Sequence, residues 1–265
     1  MIRLIGIDVD GTLVGSTGIV DPVVWRAAER ARAAGIHLAI CSGRPAFGLA
    51  LNYAQRLDPD GWHIFQNGAS VVDLSSGRSR SRSLPGPSVE FLIAQARSTG
   101  RILELYSDRS YAVESIDAWA QEHADLLGVP FEPKPLESLQ PPIVRAQWLV
   151  SPEEALQAMA EAPADLEVAQ STSPLMPDTR FVGLTPAGVN KGSAIQSVAA
   201  EYGCTLQEVM YVGDADNDLS ALRIVGCPVA MANASASVLK IARHSVGHVD
   251  AGGLAEALEL AMAGR

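Results

Sequence analysis

Two short acidic motifs are the segments of this chain best suited to chemistry. Asp8-Val9-Asp10-Gly11-Thr12 follows the apolar run Leu4-Ile5-Gly6-Ile7, and Gly213-Asp214-Ala215-Asp216-Asn217-Asp218 follows the apolar run Val209-Met210-Tyr211-Val212. Apolar runs of this length predict buried strands, and open α/β sheets bind their ligands at the carboxyl ends of the strands. We therefore expect carboxylates from both motifs to meet at one edge of a parallel sheet.

Carboxylates brought this close together need a compensating positive charge. Like charges a few ångströms apart cannot all stay ionised in a poorly solvated cleft. A divalent cation resolves the repulsion, and oxygen ligands without a neighbouring His or Cys indicate Mg²⁺ rather than zinc. A calcium EF-hand starting at Asp214 is excluded, because Leu219 and Val225 stand where Gly and Glu are required. Strand-end aspartates also cap helices and form turns, so either motif alone is ambiguous.

Two further segments offer groups that suit a phosphate. Ser42-Gly43 ends a second apolar run and presents a hydroxyl and unhindered backbone N–H groups at a helix start. Lys191 opens a later helix, where a cation does not complement the helix dipole. We interpret Lys191 as an anion-holding residue, the ordinary alternative being a solvated lysine. The P-loop pattern Gly-x4-Gly-Lys-Ser/Thr does not occur in the sequence.

Alternating strands and helices position these segments. The first 75 residues predict strands at 4–8, 37–41 and 64–65. One helix is predicted from Pro22 to Gly35, and a second follows Ser42-Gly43-Arg44-Pro45 and ends near Leu57. This order implies parallel βαβ units and a doubly wound sheet, which is an α/β fold. The same rhythm returns from Lys191, with a helix to Tyr202 and strands at 209–213 and 227–231.

Residues 75–185, between these two α/β segments, have a different sequence pattern. The Ser/Arg run at 75–83 predicts a solvated hairpin, with a nucleic-acid-binding arm as the alternative. Residues 84–87 resemble a hinge. Residues 88–185 mix helices (88–98, 115–126, 151–161) with strands (101–106, 143–150, 165–170, 180–184), a pattern typical of an α+β module. We predict a core domain of residues 1–84 and 186–265, with residues 85–185 inserted as a second domain.

The composition of the chain limits the kinds of partner and the cellular compartment that we expect for it. A net charge of −10 over 265 residues argues against broad attraction to nucleic acid or to an anionic membrane surface. The three cysteines are widely spaced and odd in number, so we expect reduced thiols in a cytoplasm. Neither a signal peptide nor an apolar run of membrane-spanning length is recognisable. The sequence carries no signal for oligomeric state.

The four segments together, in this order, resemble the four motifs of the haloacid dehalogenase-like (HAD) superfamily. They are Asp8-x-Asp10-Gly11-Thr12, Ser42-Gly43-Arg44, Lys191 and Gly213-Asp214-x-x-Asn217-Asp218. The insertion between the second and third motifs, with Asn67-Gly68-Ala69 and Met231-Ala232-Asn233-Ala234, resembles the Cof-type (subfamily IIB) phosphatases, which carry a cap of the C2B type on a Rossmann-like core. The resemblance spans nearly the whole chain and is weakest over residues 85–185.

The resemblance implies an Mg²⁺-dependent phosphatase acting on small phosphorylated metabolites, with sugar phosphates as the first expectation. Asp8 would be the nucleophile that forms an aspartyl-phosphate, and Asp10 would be the general acid and base. The Asp8 carboxylate, the Asp10 carbonyl and Asp214 would hold Mg²⁺, with Asp218 acting directly or through water. Four positions would hold the phosphoryl group: Ser42, Gly43, Lys191 and Asn217. Arg44 and Asn67 would contact the substrate.

Three alternatives remain at this point. A phosphomutase could use the same framework, but those with this cap resemble a Gly-Gly-Ser-Asp second motif and a longer fourth loop. A receiver-like signalling module would be about half as long and would lack Asp10-Gly11-Thr12. A non-catalytic phosphate-binding protein would leave the acid/base and metal set unexplained.

The inserted domain is expected to act as a lid that excludes water and selects the leaving group. Hinges are predicted at Gly86-Pro87 and Thr185-Pro186. Six residues in this domain and beside it are candidates to face the cleft, and for each of them ordinary surface or core packing is favoured over substrate contact: Arg44, Tyr106, Arg109, Arg145, Trp148 and Arg180. Structural roles are expected for His37, His63, His123 and Cys41.

Overall fold

Three β-sheets organise the chain in the computed structural model, which describes residues 1–263. Thirteen strands are assigned in that range: β1 (Leu4–Ile7), β2 (His37–Ile40), β3 (Trp62–Phe65), β4 (Ser70–Asp73), β5 (Arg78–Ser81), β6 (Ile102–Tyr106), β7 (Tyr111–Val113), β8 (Arg145–Val150), β9 (Leu166–Ser173), β10 (Met176–Pro186), β11 (Val209–Gly213), β12 (Cys227–Met231) and β13 (His244–Val246). Nine α-helices accompany them in the same range: α1 (Pro22–Ala33), α2 (Leu49–Leu57), α3 (Gly86–Thr99), α4 (Ala118–Leu127), α5 (Ala155–Ala160), α6 (Lys191–Glu201), α7 (Leu219–Leu222), α8 (Ala236–Ile241) and α9 (Gly253–Ala263).

The first sheet is parallel, in the order β13-β12-β11-β1-β2. Its strands alternate between two apolar layers, since Ile5 and Ile7 pack with α1 and α9 whereas Leu4 packs with α6. Helices therefore cover both faces of the sheet, which confirms the predicted doubly wound α/β core. The register pairs Ile7 with Val212, so β1 and β11 end side by side.

The second sheet is antiparallel, in the order β7-β6-β8-β10-β9, and forms the cap. Leu103, Leu105 and Trp148 face an apolar layer shared with α3 and α5. The opposite face carries α4 and the cross-strand pairs Glu104–Gln147 and Tyr106–Arg145. Because side chains alternate along a strand, one face of the cap sheet is apolar and the other presents a row of polar groups.

The structure corrects three sequence-based expectations. The third predicted strand does not join the parallel sheet: β3 makes only one parallel bridge to it, between Cys41 and Ile64, and heads the antiparallel sheet β3-β4-β5. By contrast, the hairpin predicted for the Ser/Arg run is confirmed, since this run supplies β5, the returning strand of a hairpin with β4. The strand Tyr111–Val113 was not predicted, and the predicted helix 151–161 is reduced to Ala155–Ala160.

Local sequence explains the start of the first helix. Asp21 accepts a hydrogen bond from the Val23 N–H at 2.8 Å, and Pro22 occupies the first turn. Alanines 27, 28 and 31 line its buried face. Within residues 1–263, no helix has the length and apolar character needed to cross a membrane.

Candidate active site

Three carboxylates converge where β1 and β11 end. Asp8 directly follows β1, and its N–H donates to the Val212 carbonyl at 3.0 Å, which extends the parallel pairing by one residue. Asp214 follows β11, and Asp218 lies in the turn after it. Each of these aspartates offers one oxygen, and the three oxygens lie within 4.8 Å of one another.

Lys191 is the cation inside this cluster. It is the first residue of α6 and is almost completely buried. Its Nζ donates to Asp8 Oδ1 at 2.5 Å and to Asp218 Oδ1 at 2.7 Å. Burial lowers the pKa of Lys191, but the carboxylates of Asp218 and Asp8 outweigh burial and hold that pKa above its usual value. Lys191 therefore stays charged and ties α6 to the acidic edge.

One ammonium group does not neutralise three carboxylates. Burial, followed by repulsion from Asp218, raises the pKa of Asp8 to about 7. Burial and the charges of Asp8 and Asp218 raise the pKa of Asp214 well above its usual value. The cluster is therefore built to receive additional positive charge.

Asp218 is fully engaged by hydrogen bonds from the protein. Its Oδ1 accepts from Lys191 and from the Tyr211 hydroxyl, the latter at 2.7 Å. Its Oδ2 accepts from the backbone N–H groups of Asp214 and Ala215, each at 3.0 Å. Four donors occupy both oxygens, so Asp218 serves to position Lys191 and the acidic loop. The sequence did not identify Tyr211, which is buried within β11.

Gly11 is required by the approach of Asp214. Its φ is +89°, a conformation that favours glycine, and a Cβ at this position would overlap the Asp214 carboxylate. Thr12 Oγ1 donates to Asp214 Oδ1 at 2.9 Å, and Asn233 Nδ2 donates to the Gly11 carbonyl at 2.7 Å. The Gly-Thr pair after Asp10 thus fits the first motif against the fourth.

Asp10 is held by Arg44 on the other side of Asp8. The guanidinium donates from Nε to Asp10 Oδ2 at 2.8 Å and from Nη2 to Asp10 Oδ1 at 2.6 Å. Ser173, on β9 of the cap, donates to Asp10 Oδ1 at 3.2 Å. Burial raises the pKa of Asp10, but the charge and hydrogen bonds of Arg44 outweigh it and hold the pKa below its usual value. The sequence predicted that Arg44 contacts the substrate, but in the structure its Nε and Nη2 both donate to Asp10.

The Ser42-Gly43 segment borders the same cleft. Ser42 is buried, and its Oγ accepts from the Arg44 N–H at 3.0 Å. A Cβ at Gly43 would lie 3.2 Å from Asn67 Oδ1, so the backbone there is closely approached. Asn217 Nδ2 donates to the same Asn67 oxygen at 3.2 Å. Asn67, expected from the sequence to contact substrate, therefore contacts Gly43 and Asn217, which line the cleft, but does not line it itself.

A cleft separates this edge from the cap. The core contributes Asp8, Asp10, Gly43, Arg44, Ala215 and Asn217 to its lining. The cap contributes His123, Leu126, Leu127, Arg145, Gln147, Ser171, Thr172, Ser173 and Phe181. The two acidic motifs and the polar face of the cap sheet therefore share one cavity.

A buried polar cluster forms the cap side of the cleft. The Glu104 carboxylate accepts from Tyr106 OH at 2.5 Å and from Gln147 Nε2 at 3.2 Å. His123 Nδ1 lies 2.9 Å from Glu104 Oε1. Arg145 stacks on the Tyr106 ring, with its Cζ 4.3 Å from the ring centroid. His123, expected to be structural, has Glu104 as its partner and also lines the cleft.

The remaining sequence candidates lie elsewhere. Arg109 is exposed on the turn between β6 and β7, and Trp148 is buried in the apolar layer of the cap, so neither lines the cleft. Arg180 lines a separate groove that also includes Asp214 and Asn233. Burial raises the pKa of Cys41 to about 12, which agrees with the expected packing role of this thiol.

Comparisons with known proteins agree with this architecture. A family model described as haloacid dehalogenase-like hydrolase matches residues 5–258. A protein of Streptococcus pyogenes serotype M6, named provisionally as a phosphatase, is 27% identical over 269 residues, which cover 97% of each chain. The 5-amino-6-(5-phospho-D-ribitylamino)uracil phosphatase of Bacillus subtilis is 26% identical over 88% of each chain.

The solved structure of a HAD subclass IIB sugar phosphatase has the same fold, with a TM-score of 0.84 and 23% identity. The superposition covers 97% of this chain and 98% of that chain. The family match over nearly the whole sequence confirms the resemblance drawn from the four motifs. The chain belongs to the haloacid dehalogenase-like hydrolases and is therefore a hydrolytic enzyme.

Proposed function

We propose that this protein is an Mg²⁺-dependent phosphatase that hydrolyses small phosphate monoesters through an aspartyl-phosphate on Asp8. Family membership and the phosphatase names of its relatives support phosphatase activity on small phosphorylated metabolites. The single observation that carries the proposal is the convergence of Asp8, Asp214 and Asp218, two of them bonded to Lys191, beside a cleft that Asp8 lines. Sugar phosphates are the first substrate class to test.

The donor set fits a magnesium ion. It consists of oxygen ligands, it is largely buried, and it carries more negative charge than Lys191 neutralises. The Asp8 carboxylate, the Asp10 carbonyl and Asp214 would hold the ion, and Asp218, whose oxygens already accept four hydrogen bonds, would support it indirectly. A bound Mg²⁺ would supply the positive charge that lets an anionic carboxylate approach an anionic phosphate.

Asp8 and Asp10 would divide the two chemical steps. An Asp8 oxygen attacks phosphorus while the bond to the leaving oxygen breaks, and Asp10 donates its proton to that oxygen. Asp10, now a carboxylate, takes a proton from water, whose oxygen attacks phosphorus. The bond to Asp8 then breaks and inorganic phosphate leaves.

The phosphoryl group would be held from the core side of the cleft. Ser42 Oγ, the backbone N–H of Gly43, Lys191 Nζ and the Asn217 amide are the proposed donors. All four belong to loops or helix starts at the carboxyl edge of the parallel sheet. This arrangement follows the usual location of ligands in open α/β sheets.

Residues 85–185 would form the lid over this edge, with residues 1–84 and 186–265 as the catalytic core. The support is direct contact: Arg44 Nη1 of the core donates to the Leu126 carbonyl of α4 at 2.5 Å, and Ser173 of the cap donates to Asp10. A lid in this position excludes water and selects the leaving group. The three free cysteines support a cytoplasmic setting.

Kinetic profiling on a panel of metabolite phosphoesters, with Mg²⁺ and with EDTA, tests the proposal. We expect turnover in Mg²⁺, loss of turnover in EDTA, and phosphate and free alcohol as the products. Asp8→Asn should abolish turnover while circular dichroism and the melting temperature show a folded protein. Most of the activity remaining in Asp8→Asn would refute the nucleophile assignment, and products retaining the phosphate on another hydroxyl would indicate a phosphomutase.

A further inference from the structure

Arg145 is a buried cation on the cap side of the cleft. It is the first residue of β8 and only 2% exposed, yet its side chain lines the cleft beside Gln147 and His123. Its guanidinium stacks over the ring of Tyr106, its cross-strand neighbour. The cation is therefore held in place by packing on an aromatic face.

No carboxylate forms a salt bridge with Arg145 within residues 1–263, although the charge of Glu104 attracts the guanidinium at longer range. Its guanidinium forms neither a salt bridge nor a hydrogen bond there, and its Nε is enclosed with no partner. The other two cations of the cleft differ, since Lys191 binds Asp8 and Asp218, and Arg44 binds Asp10. Charged groups are rarely buried without a partner, because losing water is costly.

Glu104 does not supply the missing partner. This fully buried carboxylate accepts hydrogen bonds from Tyr106 and Gln147 and lies beside His123 Nδ1. Its oxygens are thus occupied within the cap cluster. The open side of Arg145 is the cleft, so a direct salt-bridge partner for the guanidinium would come from the ligand.

We propose that Arg145 binds a second anionic group, a carboxylate or a further phosphate, on the leaving part of the substrate. The inference rests on the proposed phosphatase function, and it narrows the substrate class to small phosphomonoesters that carry another negative charge. Gln147 and His123 border Arg145 in the cleft and offer hydrogen-bonding groups to the same leaving part.

The geometry limits the size of the leaving part. A Cβ at Gly43 would lie 3.6 Å from Arg145 Nη1, so the guanidinium reaches close to the segment proposed to hold the phosphoryl group. Arg145 comes from the opposite wall, on the cap, whereas the proposed phosphoryl donors all come from the core. A second anion separated from the phosphorus by only a few atoms fits between the two walls.

Binding to the inert Asp8→Asn protein in Mg²⁺ tests the proposal without turnover. Two matched pairs of esters are compared by calorimetry: glycerol 3-phosphate with 3-phosphoglycerate, and fructose 6-phosphate with fructose 1,6-bisphosphate. In at least one pair, we expect tighter binding of the ester that has two anionic groups. The carboxylate pair and the bisphosphate pair distinguish the two forms of the second anion.

Adding Arg145→Met should weaken binding of the preferred doubly anionic ester by ~10- to 100-fold, the usual range for one charged hydrogen-bonding partner. Binding of its match, which has the phosphoryl group as its only anionic group, should change by less than about threefold, because that ester does not use the charge of Arg145. Arg145→Lys should retain part of the preference. Arg109→Met, which removes an exposed cation from the same cap, should leave both dissociation constants unchanged.

Equal losses for both members of a pair would overturn the proposal, because Arg145 would then act on the shared phosphoryl group. Absence of an Arg145-dependent preference in both pairs would overturn it as well. Failure of the proposed function has a separate signature, namely no turnover of any ester by the unmodified enzyme.

Thermal unfolding separates binding from architecture. Without ligand, Arg145→Met should melt no more than ~2 °C below the unmodified protein, because it removes a buried charge that has no salt-bridge partner. If Arg145 had only a structural role, Arg145→Met would lower the melting temperature and weaken the binding of both esters. That combination would also contradict the proposal.

Discussion

Arg44 binds both carboxylate oxygens of Asp10 and, through its remaining nitrogen, the backbone of the cap. Nε and Nη2 lie 2.8 and 2.6 Å from the two Asp10 oxygens, and Nη1 lies 2.5 Å from the Leu126 carbonyl. A bidentate pair of this kind favours the carboxylate over the carboxylic acid. The arrangement suits the step in which Asp10 takes a proton from water, whereas donation to a leaving group requires the pair to loosen.

Replacing Arg44 by Met should therefore impair the second chemical step most. We expect kcat to fall by ~10- to 100-fold, because Asp10 loses the contacts that orient it. The covalent phosphoenzyme should accumulate, since its hydrolysis depends on the carboxylate form. Acid quenching of a reaction with ³²P-labelled substrate measures that fraction directly.

Ser173→Ala is the matched control for Arg44→Met. It removes one neutral hydrogen bond to Asp10, at 3.2 Å, and leaves the bidentate pair intact. We expect a change in kcat of less than about fivefold, as for one ordinary hydrogen bond. An unchanged kcat in Arg44→Met, or a phosphoenzyme level no higher than in the unmodified enzyme, would contradict the role assigned to Arg44.

Two aspartates in the fourth motif should differ sharply in their effect on metal binding. Asp214 lies in the carboxylate cluster, whereas Asp216 is exposed and bonds to Ser235 and Ser237. Losing even an outer-shell partner typically weakens metal binding ~10- to 100-fold. Asp214→Asn should raise the Mg²⁺ concentration that gives half-maximal activity or half-maximal thermal stabilisation by at least ~10-fold. Asp216→Asn should leave that concentration unchanged.

The measurement follows both activity and the rise in melting temperature with added Mg²⁺, because a ligand of the folded state stabilises it. The thermal readout reports metal binding even when turnover is lost. Equal Mg²⁺ dependence of the two variants would show that Asp214 is not a ligand.

The acidic edge itself was predictable because it depends on local signals and one rule of topology. Short apolar runs ending in Asp8 and Asp214 predicted strands, and parallel strands of one sheet present their carboxyl ends together. Lys191 was anticipated from its place at a helix start. Its two partners, Asp8 and Asp218, lie 183 and 27 residues away, and only the fold shows that both bind the same nitrogen.

The cap side of the cleft was much harder to predict. Arg145 and Tyr106 were among the candidates, but their stacking depends on an antiparallel pairing between distant strands. Ser173 meets Asp10 across 163 residues of sequence. Alternation along a strand shows which residues share a face, but not which other domain that face will meet.

Lys191 should matter for stability as well as for phosphate binding. Lys191→Met leaves Asp8 and Asp218 without their shared cation, and breaking a buried ion pair in this way typically costs ~3–5 kcal/mol. For a chain of this size the melting temperature in EDTA should fall by about 10 °C. Lys240→Met, on the exposed face of α8, should change it by less than about 2 °C.

A double variant tests the cause of that loss. Adding Asp218→Asn to Lys191→Met removes one of the two unpaired carboxylates, so part of the lost melting temperature should return. Purely additive losses would show that charge imbalance at Asp218 is not the cause.

His63 predicts a specific dependence of stability on acid. The Ile40 N–H donates to His63 Nδ1 at 3.0 Å, so the ring hydrogen must sit on Nε2, which donates to the Asp58 carbonyl at 2.8 Å. Protonation would place a second hydrogen on Nδ1 against the Ile40 N–H. Burial accordingly lowers the pKa of His63 to about 4.

Because that pKa lies below the ordinary histidine value of 6.5, the unfolded chain binds the proton first as the pH falls. The stabilising contribution of neutral His63 is complete above about pH 6.5 and is lost between about pH 6.5 and 4. The shift corresponds to about 3 kcal/mol. His63→Gln, which cannot titrate, should lose correspondingly less stability than the unmodified protein over this interval.

Denaturant unfolding at a series of pH values from 7 to 4 measures the difference. His244→Gln removes an exposed histidine and should follow the unmodified protein throughout. The common acid sensitivity of the carboxylates cancels in the comparison, since all three proteins share those groups. Parallel stability curves for His63→Gln and the unmodified protein would mean that His63 is protonated in the folded state, which its two backbone hydrogen bonds oppose.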